Sequence, residues 1–598
     1  MKQRVNFILI LFGVFGAILI SRLYFLSIKS HTYYEKLANQ NIIKSELYAA
    51  PRGEISDRSG KKIAINKLGF SLSIKPHLKK KHLDFLVEFI KLNIPDINTK
   101  KIYSNYQRAN SPYNHKPIKV VDFIPYEDLI SKLVHFYSKS EFVIKPSYKR
   151  FYPQGELLAH IVGYVSKANK EDINNSTVSK ITGISGRSGI EKYYNSILEG
   201  TLGKIKKRVT ALNKTIQIIS NIKPKNSSIS LSIDLRVQEY LDELFTGKSG
   251  AVIVMNVNDG SILAADSYPK FDNNLFVEGI SKLRWQRMIK DLNHPFTNKF
   301  TSGLYPPGSS IKPEVLLSFL NSKLLNKNEK LLCKGEIRLG KRRFRCWNHY
   351  GHGEVNAKRA IKESCDVYFY KGGLRVGIDK ISTDLSRYGF GKKTGIDLPN
   401  EFIGTLPSRN WKLLKYALGW NKGDTLNTVI GQGSFLVTPI QVAAQTALVA
   451  TAKLPIPHFI KSINKKVVNF NSIDLLNKYE KSELNTIREG MFEVCNQKGG
   501  TAFKYNSAII KIAGKTGTSQ VVGIPQDEKE RMSEDELKYF KKSHAWFTSF
   551  GPYQNPKYVV TILIEHGGHG GKAAGEIASN IYNKLVELGY IDKKYIGR

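Results

Sequence analysis

Read for its hydrophobic and polar positions, the chain opens with a nearly unbroken apolar run. Val5 to Ile20 are sixteen residues with Asn6 as the only strongly polar member, and the apolar character resumes from Leu23 to Ile28 after Ser21-Arg22. Together these exceed the roughly 20 residues a helix needs to cross a bilayer. Lys2 and Arg4 stand before the run and predict a cytoplasmic N-terminus. No small-x-small cleavage site follows, so the pattern predicts a retained anchor rather than a cleaved signal peptide, with Arg22 snorkelling to the outer interface.

Residues 30–225 carry short strand-like runs and helical stretches such as His82 to Leu92, the latter inside a segment, 79–138, that predicts a small head lobe. Pro224-Lys225-Asn226-Ser227-Ser228 reads as a linker, after which the composition tightens. Ile233 to Phe245 predicts a helix with Asp234 near its start. Ala251 to Met255 and Ile262 to Ala265, joined through Asn258-Asp259-Gly260-Ser261, predict a hairpin. Ser543 to Phe550 and Tyr558 to Glu565 predict further strands, and Lys572 to Leu588 a closing helix. Strands at both ends with helices between them predict an α+β domain, an antiparallel sheet packed by helices on two faces. The charged insertion Gln526 to Lys542 is expected to bulge between two strands. The expected boundaries are therefore 1–29 for the tip and anchor, 30–225 for a second domain and 226–598 for a third.

Composition changes this picture in one respect. Against 51 acidic residues the chain has 91 Lys and Arg, a net charge of +40. Such an excess suits an anionic setting. The lysines scatter from Lys61 to Lys594 with no basic block interleaved by aromatics, which argues against nucleic acid as a partner.

The chemistry falls on Tyr305-Pro306-Pro307-Gly308-Ser309-Ser310-Ile311-Lys312-Pro313. A serine hydroxyl needs a base within hydrogen-bond reach, and Lys312, three positions on, would stand one turn away if Ser309 begins a helix. Alone, Ser-x-x-Lys is common. It gains specificity from Ser364-Cys365-Asp366 and then Lys515-Thr516-Gly517-Thr518, which complete the ordered triplet of penicillin-recognising serine acyltransferases.

Further runs extend the likeness: Pro51 to Gly60, His160 to Val165, Gly186 to Tyr194 and Leu198-Glu199-Gly200. With them the chain resembles the class B penicillin-binding proteins. The Tyr-Pro-Pro-Gly-Ser lead, Ser-x-Asp in place of Ser-x-Asn, and Gly431-Gln432-Gly433 with Thr438-Pro439-Ile440-Gln441 narrow the likeness to the transpeptidases of side-wall elongation. The resemblance implies a membrane anchor, a pedestal or dimerisation-like domain and a penicillin-binding transpeptidase domain. It implies acylation of Ser309 by a stem peptide, with Lys312 as base, Ser364 relaying the proton and Asp366 holding the network. Lys515, Thr516, Gly517 and Thr518 would bind the substrate carboxylate on an edge strand, and the Ser309 and Thr518 amides would hold the oxyanion. It implies covalent inhibition by β-lactams, no cofactor for catalysis, and a RodA-type glycan polymerase with the elongation machinery as partners. The catalytic domain would lie outside the cytoplasmic membrane. No Glu-x-x-Leu-Asn loop lies between Asp366 and Lys515, so rapid β-lactam hydrolysis is not expected. A carboxypeptidase or an anchored β-lactam sensor is the alternative.

Four cysteines make no disulfide framework, yet Cys333, Cys346 and Cys365 fall close together, with His352 among them. Three thiols and an imidazole are enough for a closed structural zinc site, and His349 is the alternative imidazole. A disulfide or buried thiols is the competing reading. A metal here would stiffen the loop that carries Ser364 and Asp366.

Overall fold

The N-terminal apolar run forms the helix Lys2–Tyr24, continued by a π-helical turn, Phe25–Lys29. In the computed structural model, which describes residues 2–210, 215–521 and 538–597, no side chain of this helix is buried. At 1.5 Å per residue its 28 residues reach about 42 Å, beyond the ~30 Å of a hydrocarbon core. The helix belongs to a first unit made of Met1–Arg52, Ala168–Ile184 and Glu199–Ser227. There the strands Ile43–Tyr48, Gly203–Val209 and Thr215–Ile222 pair antiparallel into a three-stranded sheet.

The second unit, Gly53–Lys167, Ser185–Leu198 and Ser228–Arg598, contains two hydrophobic cores. The smaller lies in the expected head lobe. The strand Lys62–Ile74 pairs antiparallel with Ile118–Pro125 and Phe142–Phe151. The helix expected over 82–92 runs from Lys80 to Asn93 and buries Leu83, Leu86, Val87 and Ile90 on one face. Elsewhere in this unit Glu191, from the 186–194 run, is fully buried and accepts from Arg150 Nε at 2.6 Å and from the Tyr152 phenol at 3.2 Å.

The larger core surrounds a five-stranded antiparallel sheet. Its strands are β1 (Gly250–Asn256), β2 (Ile262–Tyr268), β3 (Ala513–Ser519), β4 (His544–Gly551) and β5 (Tyr558–Ile564), in spatial order β2-β1-β5-β4-β3. The predicted hairpin is β1–β2. Its turn needs a glycine: Gly260 has φ +82°, and a Cβ there would sit 2.2 Å from the Ile456 carbonyl oxygen. The helices nearest the chemistry are α1 (Lys312–Asn321), α2 (Asp366–Val376), α3 (Pro439–Thr451) and α4 (Glu576–Glu587). Every residue of β5 is buried, as a strand covered on both faces must be. Two adjacent β4 residues show the two faces. Thr548 hydrogen-bonds Thr446 of α3 at 2.6 Å, whereas Ser549 meets the Tyr582 phenol of α4 at 3.3 Å. The strands and helices expected over 226–598 are present. Most of the insertion Gln526 to Lys542 lies outside the described residues, and its visible end carries one 3₁₀ turn, Tyr539–Lys541.

Candidate active site

Ser309 does not begin an α-helix. Gly308–Ile311 is a 3₁₀ turn and α1 starts at Lys312. Pro313 explains the difference, because a proline lacks the N–H and has the fixed φ that suit a first helical turn. The turn before it is held from several sides. Tyr305 and Val437 exchange backbone hydrogen bonds of 3.0 and 2.9 Å, the Gly308 N–H donates to the Gly431 carbonyl at 2.8 Å, and the Trp546 indole donates to the Pro306 carbonyl at 3.1 Å. Gly308 has φ +55°, and a Cβ on Gly431 would stand 2.2 Å from the Gly308 oxygen. The Gly-Gln-Gly run is thus a structural support, as its lack of a phosphate-binding lysine suggests. Gly308, Ser310, Ile311 and Lys312 are buried while Ser309 is half-exposed, so the turn presents one hydroxyl to the cleft.

Lys312 is fully buried and points at the second motif. Its ammonium donates to Asp366 Oδ1 at 2.7 Å, to the Ser364 carbonyl at 2.9 Å and to Ser364 Oγ at 3.2 Å. Among the described residues its hydrogen bonds go to these groups rather than to Ser309, which is looser than the sequence suggests and common before substrate is bound. Lys515 reaches the same Ser364 Oγ at 3.0 Å and its own neighbour's carbonyl, Thr516 O, at 3.0 Å. Burial pushes the Lys515 ammonium well below the usual lysine range, the nearby Lys312 cation pushes it further, and Asp366 pulls it back up. Ser364 is held at φ +52°, a conformation that costs a non-glycine residue energy and recurs at functional sites. Asp366 is the first residue of α2, where the helix dipole favours a carboxylate. Its second oxygen accepts the Trp347 N–H at 3.0 Å.

β3 is the edge of its sheet, so the Lys515 to Thr518 stretch has one free side. Thr516 Oγ1 pairs with Thr501 Oγ1 at 2.7 Å, and Thr518 is half-exposed. Gly517 lets β3 press on the Ser309 turn: a Cβ there would lie 3.0 Å from the Pro307 oxygen and 3.1 Å from the Ser310 nitrogen. Ser309, Lys312, Ser364, Asp366 and Lys515 to Thr518 are therefore brought together at one place.

The four metal-site candidates also converge. The ligand atoms of Cys333, Cys346, His352 and Cys365 all lie within 4.8 Å of one another, and all four residues are buried. His352 Nδ1 is 3.6 Å from the Cys333 sulfur and 3.5 Å from that of Cys346. His349 instead stacks on Tyr350. All four cysteines of the chain are free thiols. This cluster sits beside Trp347, whose ring is 5.4 Å from that of His352 and whose indole donates to the Glu363 carbonyl at 2.9 Å.

The comparisons with known proteins agree with this geometry. Residues 250–583 match the Penicillin binding protein transpeptidase domain, and residues 48–228 the Penicillin-binding Protein dimerisation domain. The chain belongs to the penicillin-binding proteins. Among members of this family, the peptidoglycan D,D-transpeptidase MrdA of Haemophilus influenzae is 35% identical over 592 residues, covering 96% of this chain and 89% of that protein. MrdA of Escherichia coli K12 is 32% identical, covering 97% and 92%. A penicillin-binding protein (PBP2) from Helicobacter pylori, solved in complex with MreC, superposes with a TM-score of 0.85 at 42% identity, covering 92% of this chain and all of that one. PBP2 of Pseudomonas aeruginosa gives 0.69 at 28%.

Proposed function

We propose that Ser309 is the acylated nucleophile of a peptidoglycan D,D-transpeptidase of cell elongation. The observation that carries this reading is the position of Ser364, whose Oγ accepts from Lys312 at 3.2 Å and from Lys515 at 3.0 Å. With both lone pairs engaged, its own hydroxyl proton points out of the network and toward a leaving group. Ser309 attacks the carbonyl between the two D-alanines of a stem peptide. The Oγ–carbon bond forms, the peptide C–N bond breaks, and free D-alanine leaves as an amine. Acting as the neutral amine, Lys312 takes the Ser309 proton. Ser364 gives its own hydroxyl proton to the departing nitrogen and is reprotonated by Lys312, which returns to the neutral amine, while Asp366 holds Lys312 in line. The substrate carboxylate docks on Lys515, Thr516 and Thr518, and its charge favours the protonated Lys515 that burial disfavours. The amides of Ser309 and Thr518 hold the oxyanion. An amine of a neighbouring stem peptide resolves the ester into a cross-link, and water would release a shortened peptide. β-Lactams acylate the same hydroxyl.

The apolar helix anchors the enzyme as a single pass in the cytoplasmic membrane, with the catalytic domain outside. Glycan polymerisation comes from a RodA-type partner, and an MreC-like protein of the elongation machinery joins the assembly. The Cys333, Cys346, His352 and Cys365 donors suit a tetrahedral structural zinc that stiffens the Ser364 loop. Metal analysis of the purified chain is expected to find one zinc, lost in Cys365→Ser. A native chain without zinc would end that part of the reading.

The catalytic reading is tested by supplying the full chain in detergent with glycan strands bearing pentapeptide stems. D-Alanine release together with dimeric cross-linked muropeptides is expected, and neither in Ser309→Ala. D-Alanine release without dimers would make the enzyme a carboxypeptidase, and stable penicillin labelling without either product would make it a sensor.

A further inference from the structure

Against Tyr305, at the start of the nucleophile turn, lies a buried ion pair that no motif announces. Lys299 is 1% exposed. Its ammonium lies 3.3 Å from Glu565 Oε2 and donates to Ser249 Oγ at 3.1 Å and to the carbonyls of Tyr268 and Asn293 at 2.5 and 2.6 Å. Glu565, just past the end of β5, also accepts from the Ser249 hydroxyl, and its N–H donates to the Ser249 carbonyl at 2.8 Å. Its other oxygen, Oε1, accepts the Tyr305 phenol at 2.7 Å. Tyr305 is the first residue of the Tyr-Pro-Pro-Gly-Ser turn, four positions before Ser309. Burial and the neighbouring carboxylate both push its pKa far above the usual phenol range, so it stays a donor.

We propose that Glu565 is a positioning residue for acyl transfer, setting the placement of Ser309 through the phenol of Tyr305. The argument rests on the reading of Ser309 as nucleophile. A buried ion pair adds little net stability, because desolvation offsets its attraction, and an apolar replacement of the same shape is often as stable. What such a pair supplies is direction. Three donors converge on one carboxylate, and two of them, Ser249 and Lys299, belong to the frame around β1 and β2. The third, Tyr305, belongs to the turn that carries Ser309. The prolines at 306 and 307 make the link between Tyr305 and Ser309 stiff, with φ fixed in both, so a displacement of the phenol is carried to Ser309 rather than absorbed. A misplacement of about 1 Å at a reacting atom costs on the order of a hundredfold in rate.

The test uses the full chain in detergent and a fluorescent penicillin, separating the limiting acylation rate from the apparent affinity of the encounter complex, with thermal melting alongside. Tyr305→Phe keeps the ring and deletes the hydroxyl. It is expected to lower the limiting rate about tenfold, the equivalent of one hydrogen bond to a charged group, with affinity little changed and the melting temperature lowered no more than in Ser249→Ala. Ser249→Ala removes a Glu565 donor remote from the turn and is the control: it is expected to lower the melting temperature and leave the rate within about twofold of wild type. Equal rates in Tyr305→Phe and wild type, or equal losses in both variants, would overturn the proposal. If Tyr305→Phe fails to fold, Glu565→Gln, which keeps an acceptor for the phenol, is expected to retain more rate than Glu565→Leu, and the reverse order would overturn it. An adduct on a residue other than Ser309 in the wild type would instead remove the underlying reading.

Discussion

Two turns carry the serines of this site, and they are stabilised in opposite ways. The turn of Ser309 is braced from within the sheet domain by strand β3, the Gly431 carbonyl, the Trp546 indole and the Glu565 carboxylate. The turn of Ser364 lies between short helices, in a strained left-handed conformation, and is held by two buried ammoniums, by Trp347 and by its neighbour Cys365 in the thiol–imidazole cluster. The first is rigid because its surroundings leave no space. The second is rigid only as long as specific polar contacts survive. Damage to packing should therefore impair the Ser309 side, and loss of single polar groups the Ser364 side.

The largest effect is expected where both turns depend on one group. Lys312→Met strands the Asp366 carboxylate and leaves Ser364 held by Lys515 alone, and breaking a buried pair of this kind costs about 3–5 kcal/mol of stability. Penicillin acylation should fall by at least about a thousandfold, measured by label incorporation, since the proposed base is also lost. Next comes Gly431→Ala, which places a methyl 2.2 Å from the Gly308 oxygen. It should slow acylation by roughly a hundredfold through displacement of Ser309, and the same substitution at Gly419, where a Cβ meets nothing within 4 Å and the backbone is not left-handed, should not.

Trp347→Phe tests the other turn. It keeps the ring beside His352 and the N–H to Asp366 but loses the indole bond to the Glu363 carbonyl. A loss of about 1 kcal/mol, or three- to tenfold in acylation rate, is expected. The smallest effect concerns pH. The folded state depresses the Lys515 constant, so above that depressed value the unfolded chain binds the extra proton and stability rises with pH until the ordinary lysine range near ~10.4 is passed. Urea unfolding of Lys515→Met should lack this part of the rise. An unchanged slope would show that Lys515 is as easily protonated folded as unfolded.

Much of this comparison is legible in the sequence, but unevenly. The three motifs can be read because their spacing reflects local demands: Ser309 and Lys312 share one turn, and Lys515 to Thr518 share one strand. The β1–β2 hairpin is legible through its glycine turn, and the helix at Lys80–Asn93 through its apolar periodicity. The start of α1 is misread by three residues, because Pro313 outweighs the capping role that Ser309 suggests. Lys299 and Glu565 leave no signal at all. They are 266 residues apart in the chain, and they meet because Lys299 is tied to β2 through Ser267 and Tyr268 while β1 pairs with both β2 and β5. Trp347 is equally silent, since its role is played by a backbone N–H that every residue but proline carries. The convergence of Cys333, Cys346, His352 and Cys365 is legible from residue type, although their spacings match no compact finger.

The account depends most on Ser309 being the hydroxyl that forms the ester. The direct measurement is to react the full chain with a fluorescent penicillin, digest it and locate the modified peptide by mass spectrometry. One long-lived ester per chain on Ser309, slowed severalfold or more in Ser364→Ala and absent in Ser309→Ala, is the predicted result. An ester on another residue, or wild-type label released within minutes, would contradict it.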